Sequence, residues 1–481
     1  MSSFSNVSDP TDLARIKSVI ASAPQPERLI PLGIKQLEIS WNASELLVFA
    51  AAEILREQMI EPVGAKVLFI TDDVTIFKGQ RDFKAYVGET LAKYFKVTWL
   101  TLTADGVVKV DDKTLDLASA AVPGHDLVVG LGGGTISDIA KVACNRNPGT
   151  QLISIQTAAS VDGYTDNVSV VLKNGVKRTI PSNWPEVVLA DLEVIQSAPV
   201  ELNLAGFGEA MSLYTAPADW ELASRLGLDS SFHETPRDLL LAFAGDPAGW
   251  GNGLALGNLG AVEQLTKVLA IRGIGTGIAG TTACLSGTEH LISHLLDMRA
   301  VASGEQVGLH GAQVGVASLV SATAWRYLLE ILPELELPQA IDIDLFAQKV
   351  RTAFSGIDKS GSLTSECISD VTKKLEKVQA LQPSIAAQLK AWQTDPSKLV
   401  AIAPNPEALA QGLLVSGAPM THADLEPWVT EEIWQWSIAN CHLMRNRFTA
   451  VDLLALCGRW EKSDWERVLE LKDLAVARVI A

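Results

Sequence analysis

Three of the chain's seven histidines lie between residues 290 and 310, in the segments SGTEHLISHLLDM and GLHGAQVGVAS. His290 and His294 are four residues apart, so on a helix both imidazoles project from the same face. His310 follows a Gly-containing loop that lets the two segments fold against each other. A single histidine on an apolar helix is usually a core residue, but three together favour function. Imidazoles suit zinc, iron or nickel, so the cluster predicts a metal site.

A redox or hydrolytic metal usually needs a carboxylate ligand as well, and Glu209 is the candidate. It lies in the otherwise apolar stretch LAGFGEAMSLYTAPADW, directly after a glycine. Burying a carboxylate without a cation costs free energy, which favours a ligand role. An acid at a helix N-terminus is the alternative explanation, and spacing alone leaves both open.

A glycine turn, Gly132, Gly133 and Gly134, follows the apolar run LVVGL and precedes ISDIAKVA. The order strand, turn, helix favours phosphate binding, because glycines let the backbone approach a diphosphate and the helix N-terminus offers free N–H groups. A plain strand-to-helix turn would need only one glycine. The sequence is not GxGxxG, so the ordinary Rossmann fingerprint is not met. A second loop, QTAASVDGYTD at 156–166, fits either a ligand contact or a simple Gly-Asp turn.

Short β-rich runs alternate with helical stretches up to residue 192, which predicts an α/β sheet with largely parallel strands. The predicted strands are KVLFI (66–70), VTWLTL (97–102), DLVVGL (126–131), QLISI (151–155) and EVVLA (186–190). Beyond them, Leu- and Ala-rich segments with helical periodicity dominate. We therefore predict an α/β domain at 1–192 and an all-α domain at 193–481. The charge-rich stretch 336–400 is predicted to be a helical insertion or an exposed helical layer, and the first 25 residues a frayed tail.

The composition limits the classes of binding partner and the cellular compartment that we expect. The 39 Lys+Arg and 56 Asp+Glu give a net charge of -17, which argues against nucleic-acid or anionic-membrane partners. The five cysteines are scattered without a CxxC pair, so neither a disulfide framework nor a thiolate metal site is expected. The first residues lack an apolar signal core, and no apolar run approaches the roughly 20 residues that span a bilayer. A cytoplasmic protein is predicted.

Six motifs in order along the chain resemble the iron-containing alcohol dehydrogenase and dehydroquinate synthase-like superfamily, and within it the glycerol-1-phosphate dehydrogenases. They are GGGTISDIAK, TAASVDGYTD, GFGEAMSLYTAPADW, SGTEHLISH, HGAQVGV and LMRNRFTAVDLL. The resemblance implies a dehydroquinate synthase-like fold, with an NAD(P)-binding α/β domain, a helical C-terminal domain and a catalytic divalent metal in the cleft. Members of the family interconvert dihydroxyacetone phosphate and sn-glycerol 1-phosphate. A small phosphorylated substrate and a homo-oligomer are expected from the same resemblance.

The resemblance also assigns roles to residues of this chain. Dinucleotide contacts fall to Gly132, Gly133, Gly134, Asp138, Thr157 and Ser160. Metal ligation falls to Glu209, His290 and His310, and substrate contact to Asp162 and His294. Two positions depart from the family pattern: Glu209 stands where an aspartate ligand is usual, and Asp166 where a small or hydroxyl residue is more common. Dehydroquinate synthases use a glutamate at the first position.

Several alternatives stay open at this point. A cyclising lyase of the dehydroquinate synthase kind, a dehydrogenase of an unphosphorylated polyol and a non-catalytic ligand sensor are the competing functions. Candidate phosphate-binding cations are Arg178, Arg445 and Arg447, for which solvated surface arginines are the alternative. Asp72 and Asp73 end a predicted strand, and an acid near an adenosine ribose would disfavour NADP. The choice between NAD and NADP, and among zinc, iron and nickel, is left open.

Overall fold

A computed structural model of the chain describes residues 9–104, 106–173 and 176–481. The chain forms two compact units that interleave along the sequence. The first unit comprises Met1–Gly206, Asp238–Phe243 and Gly253–Gly280. The second unit comprises Phe207–Arg237, Ala244–Asn252 and Thr281–Ala481. The domain boundary expected after residue 192 stays a prediction.

The first unit is built on a six-stranded parallel sheet with strand order β1-β10-β7-β6-β2-β5. Two short antiparallel hairpins, β3–β4 and β8–β9, accompany it. The strands are β1 (Gln36–Ser40), β2 (Lys66–Asp72), β3 (Phe77–Lys78), β4 (Arg81–Asp82), β5 (Lys96–Leu102), β6 (Leu127–Gly132), β7 (Leu152–Gln156), β8 (Val168–Lys173), β9 (Val176–Pro181) and β10 (Val187–Asp191). All five predicted strands are present, each within two residues of its predicted ends.

The remaining regular structure is helical, and every strand within the described residues precedes residue 192. The predicted change from α/β to helical sequence is thereby confirmed. The helices are α1 (Leu13–Ala21), α2 (Leu47–Glu57), α3 (Phe83–Ala92), α4 (Asp112–Ala121), α5 (Gly134–Asn145), α6 (Leu192–Ser197), α7 (Val200–Ala210), α8 (Ala216–Arg225), α9 (Glu234–Ala244), α10 (Pro247–Gly251), α11 (Leu259–Ala279), α12 (Thr288–Ser303), α13 (His310–Ile331), α14 (Ile343–Phe354), α15 (Ser362–Thr394), α16 (Ser397–Val400), α17 (Pro406–Ser416), α18 (Glu431–Asn440), α19 (Ala450–Leu456) and α20 (Lys462–Ile480).

Both faces of the parallel sheet are covered, as the uninterrupted apolar runs require. On β6, Leu127 and Val129 pack with residues of α2 and α3, while Val128 points the other way and packs with α4 and α5. A strand buried on both faces cannot show the alternation of polar and apolar residues that marks a half-exposed strand. The sheet therefore positions the glycine turn at the end of β6 rigidly.

The core of the second unit forms around α13, which is buried along nearly its whole length. Val316 and Val320 of α13 pack in one cluster with residues of α8, α12, α15, α19 and α20. An α-helix that is apolar all round is one that neighbours enclose. This enclosure fixes the start of α13, where His310 lies.

Two local expectations are settled by these contacts. The 336–400 stretch is helical as predicted, but Phe354 of α14 and Leu375 of α15 are buried in the core of the second unit, so it is more than an exposed layer. The expected frayed tail is wrong for residues 13–21, because α1 buries Leu13 and Ile16. The part of that expectation on residues 1–8 lies outside the described residues. None of the described helices combines the length and the apolar character needed to cross a bilayer.

Candidate metal centre and dinucleotide loops

The three clustered histidines meet in the second unit. His290 and His294 lie one turn apart on α12, and His310 is the first residue of α13. The ring centroids are 5.3 Å apart for His290 and His310, 5.5 Å for His294 and His310, and 6.2 Å for His290 and His294. The loop between the helices thus brings the histidines together, as the sequence indicated.

Glu209, near the end of α7, completes the group. Its side chain is buried, with Oε1 lying 3.3 Å from His290 Nε2 and Oε2 lying 3.9 Å from His310 Nε2. One ligand atom from each of the three residues lies within 4.8 Å of the other two. A carboxylate and two imidazole nitrogens at this spacing suit a divalent ion with a position left open for substrate.

Glycines allow α7 and α13 to pack closely, which brings Glu209 near His310. A Cβ built on Gly208 would lie 2.2 Å from the Gly311 carbonyl oxygen, and one on Gly315 would lie 2.7 Å from Gly208 Cα. Distances this short leave no room for a side chain, so α7 and α13 touch backbone to backbone. The glycines that flank the two candidate ligands are therefore part of the site's construction.

Hydrogen bonds on the far side of each imidazole orient the ring. His290 Nδ1 lies 3.0 Å from Glu289 Oε1, and His310 Nδ1 lies 2.9 Å from Ser293 Oγ. The Glu289 carboxylate is fully buried and accepts hydrogen bonds from the Gly287 N–H and from Thr215 Oγ1. Metal-binding histidines typically present one nitrogen to the ion and donate from the other to such a partner. Both Nε2 atoms are therefore the ones that would face a metal, and the donor set fits such an ion.

The charges around His290 favour a cation at this place. Burial disfavours the imidazolium, but the Glu209 and Glu289 carboxylates outweigh burial and raise the pKa of His290 to about 9. In turn, burial opposes ionisation of Glu289, yet His290 and the Gly287 N–H hold its pKa below the usual value. Two buried carboxylates beside one imidazole need positive charge, which a divalent ion would supply.

A second group overlaps the first. Ligand atoms of His294, Asp297 and His310 also lie within 4.8 Å of one another. Asp297 is buried on α12, whereas His294 is only half-buried. Because His310 belongs to both groups, its contacts decide which group an ion would use. Its Nε2 faces Glu209 and its Nδ1 is engaged by Ser293, which favours the Glu209 group.

Behind Glu289 lies a further buried carboxylate, Asp219 on α8. It accepts hydrogen bonds from the Thr288 N–H at 3.0 Å, from Trp325 Nε1 at 2.9 Å and from the Ala450 N–H at 3.0 Å. Burial, together with the charge of Glu289, raises the pKa of Asp219 to about 7. Asp219 therefore ties the start of α12, which carries His290, to α13 and α19.

In the first unit, two glycines of the turn are tightly packed against neighbouring side chains, and the third borders open space. A Cβ on Gly132 would lie 2.6 Å from Ile136, and one on Gly134 would lie 2.6 Å from Val161. Gly133 has nothing within 4 Å of such a Cβ, so its backbone faces open space at the start of α5. The first turn of a helix has N–H groups without helical partners, so this is where a diphosphate would be bound.

The second predicted loop, 156–166, lies against the glycine turn. Tyr164 donates from its hydroxyl to the Gly132 carbonyl oxygen at 3.1 Å, and Ser137 donates to the Gly163 carbonyl oxygen at 3.2 Å. Of the residues assigned to the cofactor, Thr157 is buried and Ser160 half-buried. The structure thus brings the two loops together, while the roles of these residues stay predictions.

The remaining first-unit candidates are in buried ion pairs. Asp162, predicted to contact substrate, lies 3.1 Å from Arg272 Nε, and that arginine is almost fully buried on α11. Asp138, predicted to contact dinucleotide, lies 3.2 Å from Lys141 Nζ. Lys141 also donates to Asp166, the position that departs from the family pattern. Burial raises the pKa of Asp166 to about 7 in spite of this lysine.

The candidate phosphate-binding arginines differ in their surroundings. Arg447 donates to the Ser286 carbonyl oxygen and, at 3.0 Å, to Thr282 Oγ1. Burial together with the nearby Arg445 lowers the pKa of Arg447 to about 10, although the charges of Glu289 and Asp229 oppose this shift. Such a guanidinium is suited to an anion. Arg178 lies on the β8–β9 hairpin.

The two acids at the end of β2, which were the candidates to disfavour NADP, differ in their surroundings. Asp72 is engaged by the Lys84 ammonium, whereas Asp73 is exposed.

Sequence reasoning missed the residues that support the site. They are Glu289, Ser293, Gln313 and Asp219 in the second unit, and Lys141 and Arg272 in the first. A signal was available for several of them, because an ionisable residue inside an apolar helix has to be paired. Glu289 and Lys141 each have one partner nearby in sequence, but the other partners are distant, so most of the pairings could not be read from spacing.

The comparisons with known proteins agree with this architecture. The sequence model of the family described as iron-containing alcohol dehydrogenase matches residues 49–199. A solved structure described as a probable glycerol dehydrogenase from Sinorhizobium meliloti 1021 superposes with a TM-score of 0.53. It is 15% identical, and the match covers 92% of this chain and 98% of that chain. At this identity the likeness establishes the fold: a parallel α/β unit followed by a mostly helical part.

Proteins with similar sequences identify the family more closely than the fold does. The glycerol-1-phosphate dehydrogenase [NAD(P)+] of Aeropyrum pernix is 33% identical over 260 residues, covering 51% of this chain and 72% of the relative. That of Thermococcus sibiricus is 31% identical over 281 residues, covering 57% of this chain and 78% of the relative. The chain belongs to the glycerol-1-phosphate dehydrogenase family.

Proposed function

We propose that this chain is an NAD(P)-linked dehydrogenase that interconverts dihydroxyacetone phosphate and sn-glycerol 1-phosphate. Its relatives bear the name of that activity. The observation that carries the proposal is the convergence of Glu209, His290 and His310 on one point. Reduction would take a hydride from NAD(P)H and one proton, giving the alcohol and NAD(P)+.

A divalent ion, zinc, iron or nickel, would be held by Glu209 Oε and by Nε2 of His290 and His310. When bound, it would supply a Lewis acid that polarises the substrate carbonyl and stabilises the alkoxide. Glu289 and Ser293 orient the imidazoles through their Nδ1 atoms. Glu209 has one methylene more than the usual aspartate, which shifts the carboxylate by about one bond length along the side chain.

His294 is proposed to contact substrate and help pass a proton to the alkoxide oxygen. It lies one turn from His290, is half-buried, and its ring stacks on that of His310. A half-buried imidazole that does not belong to the proposed ligand set can exchange protons with solvent, whereas the buried ring of His290 cannot. Asp162, held by Arg272, is proposed to contact substrate from the loop at 156–166.

The dinucleotide is proposed to bind at the glycine turn of the first unit. The open backbone at Gly133 and the start of α5 would receive the diphosphate, with Thr157 and Ser160 in the adjacent loop. Asp138 is held in place by Lys141. NAD and NADP both remain candidates as the cofactor.

Arg447 is proposed to bind the substrate phosphate. Its guanidinium is fixed by two hydrogen bonds to the segment preceding α12, the helix that carries His290 and His294. Its two hydrogen bonds go to a carbonyl oxygen and a hydroxyl rather than to a carboxylate, so the guanidinium can still pair with an anion. We also propose a homo-oligomer on the family resemblance, and a cytoplasmic location because five scattered cysteines suit a reducing compartment.

The test is oxidation of NADH and NADPH with dihydroxyacetone phosphate, on protein stripped of metal and reloaded separately with zinc, iron(II) or nickel. Glu209→Ala serves as the metal-site variant and Glu186→Ala as a matched control. Metal-dependent oxidation that is lost only in Glu209→Ala supports the proposal and selects the cofactor. If no metal gives oxidation although metal and dinucleotide both bind, this substrate is wrong, and a cyclising lyase or an unphosphorylated polyol becomes the better candidate.

A further inference from the structure

A buried lysine of the second unit is bonded at both ends of the loop that carries Arg447, the arginine loop (residues 442–449). This lysine, Lys374, lies on α15 with only 4% of its side chain exposed. Its Nζ atom donates a hydrogen bond to the His442 carbonyl oxygen at 2.8 Å, where the loop begins, and another to Asp452 Oδ1. The ammonium therefore holds the start of the loop directly.

Asp452 connects Lys374 to the end of the arginine loop. Its Oδ2 atom accepts hydrogen bonds from the Thr449 N–H and from the Thr449 hydroxyl, each at 2.9 Å, in a capping box at the start of α19. The Asp452 carboxylate is buried, so its charge requires a partner, and Lys374 supplies it. Both ends of the loop are thus joined to a single buried ammonium.

The backbone inside the arginine loop needs such restraint. Arg445 has a φ of 68°, in the left-handed region that a bulky residue rarely adopts. A backbone in this region costs free energy and persists only where the surrounding structure imposes it. Two residues further on, the Arg447 guanidinium donates to the Ser286 carbonyl oxygen and to Thr282 Oγ1. The place of this guanidinium therefore depends on a loop whose shape is fixed from its ends.

We propose that Lys374 is a positioning residue for recognition of the substrate phosphate, because it joins both ends of the arginine loop and so keeps Arg447 in place. The proposal rests on the proposed function, in which Arg447 binds that phosphate. It gives a role to the charge-rich stretch 336–400, to which Lys374 belongs. The adjacent Leu375 is buried in the core of the second unit, so α15 is itself firmly placed.

The experiment measures kcat/KM for dihydroxyacetone phosphate and for unphosphorylated dihydroxyacetone in the full chain, and the binding of sn-glycerol 1-phosphate by calorimetry. Lys374→Met removes both bonds to the loop. The kcat/KM for dihydroxyacetone phosphate should fall about tenfold through a higher KM, and sn-glycerol 1-phosphate should bind about tenfold more weakly. The rate with dihydroxyacetone should change little. Lys377→Met is the matched control, because this lysine of the same helix donates to the Leu228 carbonyl oxygen.

Two double variants separate positioning from stability. Lys374→Met leaves Asp452 buried without its cation, which lowers stability, and adding Asp452→Asn removes that unpaired charge. The urea midpoint should then return towards the wild-type value, while weak binding of sn-glycerol 1-phosphate persists because the His442 carbonyl still lacks its donor. Lys374→Met combined with Arg447→Met should have the same kcat/KM as Arg447→Met alone, since Lys374 acts through that arginine.

Recovery of phosphate binding together with stability, or an equal loss for both substrates in Lys374→Met, would overturn the role of Lys374. If wild type reduces dihydroxyacetone phosphate and Lys374→Met behaves like Lys377→Met, only the assignment of Lys374 fails. If wild type neither reduces dihydroxyacetone phosphate nor binds sn-glycerol 1-phosphate, the proposed function fails and this proposal fails with it.

Discussion

Gly208 and Gly311 lie against each other with no side chain between them, one residue away from Glu209 and His310 respectively. Two helices that touch through glycine backbones approach more closely than helices separated by side chains. The candidate carboxylate and imidazole ligands meet because of this contact. The site therefore depends on residues that have no metal-binding atoms.

Replacing Gly208 by alanine should damage the site without removing a ligand. The new Cβ would fall 2.2 Å from the Gly311 carbonyl oxygen, so α7 and α13 must separate. We expect a loss of about 1–3 kcal/mol in the free energy of unfolding, with weaker zinc binding. Urea unfolding and a zinc titration check both effects. Gly356→Ala, where a Cβ meets nothing within 4 Å, is the control; equal behaviour of the two variants would contradict the packing argument.

Neutralising Glu289 should weaken metal binding although this residue faces away from the metal. In Glu289→Gln the acceptor on His290 Nδ1 loses its charge, and the imidazole becomes a poorer ligand. We expect about a tenfold rise in the zinc dissociation constant. Glu186→Gln provides the control, because Glu186 likewise accepts a backbone hydrogen bond, from the Leu152 N–H. Unchanged zinc affinity in Glu289→Gln would show that this carboxylate only stabilises the fold.

Replacing His294 should affect turnover more than metal content. His294 does not belong to the group of Glu209, His290 and His310 that would hold the metal, so His294→Ala should retain one metal per chain. Loss of a proton-transfer group should lower kcat about 10²- to 10⁴-fold. Elemental analysis measures the metal content and steady-state kinetics measures kcat on the same sample, so the two effects can be separated. Metal-free His294→Ala protein would instead make His294 a ligand, and His125→Ala controls for the loss of an imidazole.

Replacing Arg447 should lower kcat/KM for the phosphorylated substrate but not for its unphosphorylated analogue. Arg447→Met removes the guanidinium, and kcat/KM for dihydroxyacetone phosphate should fall about 10- to 100-fold, as expected for a lost hydrogen bond to a charged group. The rate with unphosphorylated dihydroxyacetone should change little. An equal fall for both substrates would mean that Arg447 only supports the segment before α12. Arg459→Met, at a more exposed arginine, is the control.

An ion-pair cluster in the second unit should give part of its stability a pH dependence. Arg326 binds Glu407 with both nitrogens and, against partial burial and with help from Arg478, lowers the pKa of Glu407 to about 2. The unfolded carboxyl has a pKa near 4.5. Because the folded pKa is the lower one, this contribution is complete above about pH 4.5 and is lost as the pH falls towards 2.

Glu407→Gln should therefore lower the free energy of unfolding by about 1 kcal/mol or less at pH 6. The difference from wild type should be smaller at pH 3.5. Urea unfolding at the two pH values measures the difference. Glu263→Gln, at an exposed helix pair with Lys267, should show a smaller change. A difference that grows as the pH falls would contradict the assigned sign.

Much of the architecture followed from local sequence. Four buried strands, β2, β6, β7 and β10, were predicted because parallel strands covered on both faces read as short apolar runs. The fifth predicted strand, β5, lies at the edge of the sheet and is exposed along most of its length. The hairpin of β8 and β9 and the edge strand β1 were missed, since half-exposed strands carry a weaker signal. The histidine group was predicted because its members are close in sequence, and helical periodicity places His290 and His294 on one face.

What the sequence by itself determined was the alternation of elements, the glycine turn and the identity of the metal-ligand candidates. Only the tertiary structure decided that Glu209 reaches His290 and His310, because that contact joins residues about 80 to 100 positions apart through the glycine crossing. It also decided the partners of the buried charges, such as Glu289 with Thr215 and Asp162 with Arg272. Burial makes pairing obligatory, but the partner is whichever group packing brings within hydrogen-bond distance.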